Sequence, residues 1–191
     1  YDYGYYNYTY MTTVNNGGSV RVFEYGTATN PTGWSQVGGE IDGLAQYDRF
    51  GSAVVSSSDG NSFAARTSDN RYASMFKYGT PANLTGWAQA GSAMNLYSNY
   101  DSMYSSEAPP LAASSDCNRI VVPTSDGVGV FEYGTPANLT GWSQVGATIT
   151  GGNNEQFGSA ATMSADGDRI VIGARGGDVM GDAGNYFGTF N

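Results

Sequence analysis

Two pairs of carboxylates are the residues of this sequence whose spacing best suits chemistry. Glu40 and Asp42 form one pair, Asp166 and Asp168 form the other, and paired carboxyl groups are the usual machinery of glycoside hydrolysis. The 191 residues include no histidine and one cysteine, Cys117, so the commonest general base and the imidazole partner of a thiol nucleophile are missing. An exposed loop explains the first pair and a hairpin turn explains the second. We therefore expect a protein that is not an enzyme, with a carbohydrate-active enzyme as the least favoured alternative.

Metal binding is the next chemistry that these carboxylates could support. Asp178 and Asp182 lie in the glycine-rich segment 176–184 and are the candidate calcium ligands; a simple connection between strands is the alternative. Calcium takes six to eight oxygen ligands, more than two carboxylates supply. We therefore expect no cofactor, with calcium kept as the one exception.

The charge balance restricts the partners of the chain. Seventeen acidic and eight basic residues give a net charge of −9, and an acidic surface repels the phosphates of nucleic acids and of anionic lipids. No apolar run approaches the ~20 residues that span a bilayer. Neither a nucleic-acid partner nor a membrane span is therefore expected.

An internal repeat determines where these residues lie. The decapeptide YGTPANLTGW occurs at 78–87 and again at 133–142, and a looser copy occupies 25–34. The three copies begin 53 and then 55 residues apart. A turn-like tetrapeptide repeats in phase, at 58–61, 115–118 and 165–168. Self-similarity at this period is typical of repeat architectures.

Within one unit the pattern predicts strands and turns rather than helices. A type I′ turn is predicted at Asp59 and Gly60. In the next copy Cys117 replaces the glycine, so that turn needs an unfavourable positive φ or another turn type. Residues 94–107, an insertion relative to the other copies, are predicted to form an exposed loop. The four strands predicted for this unit are 50–56, 62–66, 71–78 and 87–90.

Four antiparallel strands in about 53 residues correspond in size to one blade of a β-propeller. We therefore predict an all-β fold in a single domain, 1–191, made of about four propeller-type blades. Two units are complete, and partial units stand at both ends. The predicted units are 1–38, 50–91, 108–146 and 157–191.

Tryptophan recurs at one position of each copy. A Trp-x-Gln-x-Gly segment begins at Trp34, Trp87 and Trp142. We predict that it lies on an outer strand, where the indole covers the adjacent blade.

Three segments of the last unit together resemble an FG-GAP repeat, the blade unit of integrin-alpha-type β-propellers. They are FGSA at 157–160, SADGDRIVIGA at 164–174 and GNYF at 184–187. The resemblance extends over about 6–191 and implies an extracellular or cell-surface protein built from blades. Two departures are the shortened turn where the family has a calcium loop, and Arg175 where it has proline.

Three sequons predict N-linked glycosylation, at Asn83, Asn138 and Asn7. The corresponding Asn30 is followed by Pro31, which blocks modification. A glycosylated secreted surface is one interpretation, and sequons copied along with the repeat are the other.

Self-association is predicted from the partial end units and from the first ten residues. An open arc of blades exposes strand edges and apolar faces, which favours a homo-oligomer or filament; the alternative is that the chain is part of a longer propeller. Alternating tyrosines predict a strand that crosses to a neighbouring subunit; packing within the chain or on a carbohydrate is the alternative. These tyrosines are Tyr1, Tyr3, Tyr5, Tyr6, Tyr8 and Tyr10.

Taken together, the residues and the resemblance favour a non-enzymatic extracellular structural or adhesive protein. The alternative is a recognition module that binds a glycan or a cell-surface protein, with calcium assisting.

Overall fold

The computed structural model describes residues 16–68, 72–96, 111–124, 127–152 and 156–176. The regular secondary structure in these ranges is β-strand, which confirms the all-β prediction. The strands are β1 (Ser19–Val20), β2 (Phe23–Thr27), β3 (Asn30–Gln36), β4 (Ile41–Asp42), β5 (Ala53–Ser56), β6 (Ser62–Arg66), β7 (Tyr72–Thr80), β8 (Asn83–Gln89), β9 (Met94–Asn95), β10 (Ala112–Ala113), β11 (Arg119–Thr124), β12 (Gly127–Thr135), β13 (Asn138–Gln144), β14 (Phe157–Met163) and β15 (Ile170–Ala174). In the described part of the chain there is no helix of membrane-spanning length and apolarity.

These strands form several antiparallel sheets that follow the repeat. We call β2 and β3 the first sheet, β5 to β9 the second, β10 to β13 the third, and β14 and β15 the fourth. The four main strands of the second sheet, and those of the third, are hydrogen-bonded in chain order. Each of these two sheets therefore has the four antiparallel strands predicted for a complete unit, whereas the described residues show no closed propeller. The short strands β1 and β4 pair with each other beside the first sheet.

The decapeptide forms a long hairpin instead of the predicted loop between two shorter strands. In the second sheet the pairing of β7 with β8 continues to Thr80 and Asn83, and only two residues form the turn. The register shifts at Gly79, whose φ is +64°. Glycine adopts this conformation without steric cost, which explains the Tyr-Gly-Thr sequence before each turn.

Alternating side chains pack the sheets face to face. On β11, Ile120 and Val122 lie in a core shared with Ala64 of the second sheet, whereas Val121 lies in a core shared with the fourth sheet. All three β11 side chains are fully buried. Since successive strand residues point to opposite faces, β11 is covered on both sides and reads as a continuous apolar run.

The core between the first and second sheets is aromatic. Phe63 stacks on Phe76, with ring centroids 5.2 Å apart, and Phe50 stacks on Tyr72 at 5.8 Å. Such pairs add to the stabilisation from burial alone. Aromatic rings thus hold the first and second sheets together, and two of them, Phe50 and Phe63, are buried.

The turn at Asp59 and Gly60 is not the predicted type I′ turn. Only Gly60 has a positive φ, +71°, whereas a type I′ turn needs two such residues. The carboxylate of Asp59 closes the turn by accepting from Ser57 Oγ at 2.6 Å and from the backbone N–H of Asn61 at 3.0 Å. Asp116 and Asp166 make the corresponding bonds in the third and fourth sheets.

Cys117 adopts the strained conformation that its position requires. Its φ is +59°, its side chain is fully buried, and Sγ lies 3.9 Å from the carbonyl oxygen of Val55 in the second sheet. Burial raises the pKa of the thiol to about 11. The residue therefore packs between sheets as a small apolar group, although it belongs to a turn.

The start of the segment predicted as an exposed loop, 94–107, is part of the core. Met94 and Asn95 form β9, which pairs with β7, and Met94 and Leu96 are buried. Ile41 and Ile149 pair in the same way with the first and third units, opposite Val20 and Val128. The prediction was wrong here because the first residues of the segment pair with the sheet as their counterparts in the other copies do. The insertion begins only after them.

Backbone hydrogen bonds join the turns of successive units. Ser58 N–H donates to the Ser115 carbonyl at 2.7 Å, and Ser115 N–H donates to the Ala165 carbonyl at 2.8 Å. Ser58, Ser115 and Ala165 hold the same position in the repeat. The second, third and fourth sheets are therefore connected by one recurring backbone contact.

Candidate functional site

The first sheet carries three largely exposed aromatic side chains, Phe23, Tyr25 and Trp34, which we call the aromatic face; all three also line the cleft described below. Their exposed fractions are 52%, 59% and 67%. Tyr25 and Trp34 are direct register partners, and their rings meet edge to face at 5.5 Å. Cross-strand aromatic pairs stabilise a hairpin. The aromatic face is thus an ordered apolar surface, a property of interaction sites.

The corresponding aromatics of the next two sheets are covered by the sheet before them. Trp87 Nε1 donates to the Val37 carbonyl at 2.8 Å, and its indole lies against Gly38. Trp142 packs against the buried Ala90 and Met75. The prediction that each indole covers an adjacent unit is confirmed for these two tryptophans. Trp34 has the same hairpin without that cover.

A glycine corner lies against each covered hairpin, facing the Trp87 ring at Gly38 and the Tyr133 ring with the Gly141 backbone at Gly91. At Gly38 and Gly91 the φ angles are +72° and +73°, and Gln36 and Gln89 donate from Nε2 to the carbonyls of these glycines at 3.2 Å. A β-carbon at Gly38 would lie 2.8 Å from the Trp87 ring. In these two units glutamine fixes the corner, and the glycine leaves room for the Trp87 indole at Gly38 and for the Tyr133 ring at Gly91.

The third sheet has an exposed corner at the equivalent position, where Gln144 Nε2 donates to Thr148 Oγ1 instead of to the glycine carbonyl. Gly146 has a φ of +71°, and no atom of the described residues lies within 4 Å of the position that its β-carbon would take. Val145, its neighbour, donates its N–H to the Val130 carbonyl at 2.8 Å, as Val37 does to Val22 at 2.9 Å. Val145 is 38% exposed. The described chain therefore carries one open corner and one uncovered aromatic face.

A cleft of about 760 Å³ opens between the first and second sheets. Apolar and aromatic residues line it together with carboxylate and amide residues. The residues that bear on its chemistry are Arg21, Glu24, Val54, Asp59, Asn61, Tyr78 and Trp87. This volume falls within the range of small-molecule pockets.

The two later interfaces are bridged by cations. Lys77 Nζ donates to Asn118 Oδ1 at 3.0 Å. Arg119 donates to Glu132 of its own sheet and to Asp168 of the fourth sheet, both at 2.7 Å. The positive charges of Lys77 and Arg119 thus tie neighbouring sheets together through polar atoms of the repeated turns.

The turn carboxylates are acceptors for their own turns. The hydroxyl of Ser57 and the backbone N–H of Asn61 lower the pKa of Asp59. Burial alone would raise the pKa of Asp116, but the hydrogen bonds from Ser114 and Asn118 outweigh it and lower the pKa. Among the described residues no group of three or more acidic, histidine or cysteine side chains could hold a metal ion.

Glu40, Asp166 and Asp168 accept hydrogen bonds from other side chains. The Ser19 hydroxyl and then Arg21 lower the pKa of Glu40 by hydrogen bonding, whereas Asp42 lies on β4. Asp166 closes its turn and Asp168 receives Arg119. These contacts give each pair a role in holding loops and sheets.

The sequon asparagines have an internal role as well as an exposed location. Asn83 Nδ2 donates to the Trp87 carbonyl at 3.3 Å, and Asn138 Nδ2 donates to the Trp142 carbonyl at 3.2 Å. Asn30, where proline blocks the sequon, makes the same bond at 3.3 Å. The asparagine therefore stabilises the hairpin with or without a sequon, and glycosylation of Asn83 and Asn138 stays a prediction.

The remaining predicted site residues lie outside the described residues. These are Asn7, the calcium candidates Asp178 and Asp182, and the tyrosines Tyr1, Tyr3, Tyr5, Tyr6, Tyr8 and Tyr10.

The aromatic face and the bridge from Lys77 to Asn118 were missed from sequence. A signal for the bridge exists in the aligned repeats, where Glu24, Lys77 and Glu132 occupy one variable position in a constant Phe-x-Tyr frame. A charge that changes sign within an otherwise fixed motif marks a position whose role differs between units.

No family model, no curated protein and no solved structure matches this chain.

Proposed function

We propose that this chain is a non-enzymatic structural or adhesive protein, built from β-propeller-type blades, that associates head to tail with further copies of itself. The observation that carries the proposal is the exposure of Phe23, Tyr25 and Trp34 on the first sheet. The matching residues of the second and third sheets are covered by a preceding sheet. A second copy of the chain is the occupant whose chemistry fits this face.

The complementary surface on that second copy is the open corner at Val145 and Gly146. Val37 with Gly38, and Ala90 with Gly91, already receive a tryptophan or its sheet within the chain. In the proposed contact, Trp34 of one copy packs on Val145 and Gly146 of the next. Two different surfaces meet, so the interface is heterologous, and it produces a ring if the rotation closes or a filament if it does not.

The size of the aromatic face suits an association surface. Buried Phe, Tyr and Trp side chains each remove roughly 150–250 Å² from water, and this face leaves more than half of three such side chains exposed. Patches of several hundred Å² are uncommon on monomeric proteins and mark contact sites. A stable interface needs about 800 Å² per partner, so neighbouring backbone must contribute as well.

Two complementary variants test the contact. Trp34→Glu removes the face, and Val145→Glu removes the corner; each alone should abolish assembly in sedimentation velocity. An equimolar mixture should form dimers and nothing larger, because one intact face and one intact corner remain. Leu84→Glu, at a side chain that is 75% exposed on the second sheet, is the matched control and should assemble as the wild type does.

Two results would contradict the proposal. One is a wild-type chain that is monodisperse and monomeric at micromolar concentration. The other is a mixture of the two glutamate variants that stays monomeric.

Extracellular location and glycosylation belong to the same proposal. Asn83 and Asn138 are exposed at hairpin ends, where a glycan would face water. Peptide mapping of material made in glycosylating cells should find sugar at both residues and none at Asn30, the internal control. Bare asparagines at both positions would remove this support for a secreted glycoprotein.

A further inference from the structure

One ammonium group bridges the second and third sheets in a well-defined site. Lys77 Nζ lies 3.0 Å from Asn118 Oδ1 and 5.0 Å from the centroid of the Tyr133 ring. An amide oxygen accepts a hydrogen bond from the cation, and the ring face attracts its charge. The site thus has one acceptor and one aromatic wall.

The same two walls stand one unit earlier, around the cleft. By the repeat, Asn61 corresponds to Asn118 and Tyr78 to Tyr133, and both line the cleft. The residue in the position of Lys77 is Glu24, which also lines the cleft. The first interface therefore has the walls of the ammonium site and a carboxylate where the second interface has its lysine.

The orientation of the Asn61 amide matches that of Asn118. Asn61 Nδ2 donates to Asp59 at 3.3 Å, and Asn118 Nδ2 donates to Asp116 at 2.8 Å. Because the amide nitrogen is committed in both, Oδ1 is the acceptor in both. Within the described ranges no donor reaches Asn61 Oδ1.

The charges around the cleft favour a cationic ligand. Glu24 and Asp59 contribute two carboxylates. Arg21, which also lines the cleft, binds both carboxylate oxygens of Glu40, at 2.8 and 2.9 Å. An anionic ligand would meet two like charges, whereas an ammonium group would meet opposite charges and an oriented acceptor.

We propose that this cleft binds a lysine side chain of a partner protein, with the ammonium between Asn61 and Tyr78. Glu24 supplies a second carboxylate beside Asp59, at the position that Lys77 holds in the internal site. The methylene stem of the ligand lies along the apolar lining at Val54 and Trp87, as lysine stems commonly do. The partner thus provides from outside the contact that Lys77 provides within the chain.

Calorimetric titration of the full chain with short peptides tests this proposal. Acetyl-Gly-Lys-Gly-amide should bind at least ten-fold more tightly than the same peptide with norleucine, which has the same length of stem and no charge. Asn61→Leu should weaken the lysine peptide at least ten-fold.

The sharpest variant is Glu24→Lys, because it places a lysine where the next unit has Lys77. The new side chain should occupy the site, abolish binding of the lysine peptide and raise the unfolding temperature. Glu24→Gln should weaken binding without raising the unfolding temperature, which separates occupation of the site from loss of a charge. Asn118→Leu, at the other interface, is the control and should change peptide affinity less than two-fold.

Several outcomes would overturn the proposal. They are equal affinity for the lysine and norleucine peptides, no detectable binding at millimolar peptide, and unchanged affinity in Glu24→Lys. An arginine peptide that binds as tightly as the lysine peptide would overturn the assignment to a primary ammonium.

Discussion

The first and second sheets contain nearly the same hairpin in different surroundings. Tyr25 and Trp34 meet at 5.5 Å, and Tyr78 and Trp87 meet at 5.3 Å, so the local geometry is shared. Trp87 nevertheless lies against Val37 with its indole N–H bonded, whereas Trp34 is mostly exposed. The hairpin forms from its own sequence, and the neighbouring sheet decides whether its aromatic pair acts as core or as surface.

The largest expected difference in stability is between a variant at Ile120, which lies between two sheets, and one at Val171, on the fourth sheet. Ile120→Ala removes a fully buried side chain between the second and third sheets and should lower the free energy of unfolding by about 2–5 kcal/mol. Val171→Ala, at an exposed position on the fourth sheet, should change it by about 0.5 kcal/mol or less. Urea unfolding followed by circular dichroism measures both. Similar losses would mean that the fourth sheet is covered in solution.

The next largest difference in stability is expected between alanine variants of Trp87 and Trp34. Trp87→Ala loses packing on the first sheet and a hydrogen bond, and should cost about 2–3 kcal/mol because the side chain is only half-buried. Trp34→Ala should cost much less in a dilute monomeric sample, since little of the indole is covered. Equal losses in urea titrations of the two variants would show that Trp34 is buried by another part of the chain.

The turn carboxylates offer a comparison that depends on pH. Asp116→Asn should lower stability at pH 7 by about 1 kcal/mol, the net contribution of a hydrogen bond. The pKa of Asp116 is lowered in the folded protein, so its stabilisation is complete above the unfolded pKa, near 4, and is lost as pH falls through the folded pKa. The difference from wild type should therefore shrink below about pH 4.

Asp59→Asn is the matched variant at the first interface. Asp59 makes the same turn bonds beside the open cleft, and we expect a smaller loss with the same pH dependence. Unfolding curves from pH 2 to 8 measure both variants. A gap between either variant and wild type that widened at low pH would contradict the sign.

The smallest expected effect is at Cys117, compared with Gly60 and Gly167 at the same turn position. Cys117→Gly relieves a left-handed backbone strain of about 1 kcal/mol but loses a buried side chain, so the net change should stay within about 1 kcal/mol. Cys117→Ala keeps the strain and loses the sulfur. If Cys117→Gly were less stable than Cys117→Ala, strain at this turn would be negligible.

The repeat made much of the fold predictable. Its period, its turn residues and its alternating pattern place the four main strands of the second sheet within a few residues, because those signals are local. The turn type was wrong because a serine and an aspartate side chain replace backbone contacts that the Asp-Gly pair alone suggests. The strand at Met94 was missed because it pairs with β7, which is not the adjacent strand in the sequence, and such a pairing leaves no local sequence signal.

The candidate site was less predictable for a physical reason. Trp34 and Trp87 belong to copies of one motif, and nothing within the motif states which copy has a neighbour. The ammonium site depends on Lys77 meeting a turn 41 residues away. The change of charge at one repeat position is visible in the sequence. Only the structure shows that a side chain at this position reaches the next sheet.

The contact from Ser58 to Ser115, and from Ser115 to Ala165, has a consequence for how such chains grow. Each contact joins a backbone N–H of one unit to a backbone carbonyl of the next unit. Because no side chain takes part, serine and alanine are equivalent at this position. A duplicated unit would carry both the donor N–H and the acceptor carbonyl, so it could pack on its neighbour without any compensating substitution. Lengthening by gene duplication is therefore open to this architecture from the start, whereas diversification is left to positions such as 24, 77 and 132.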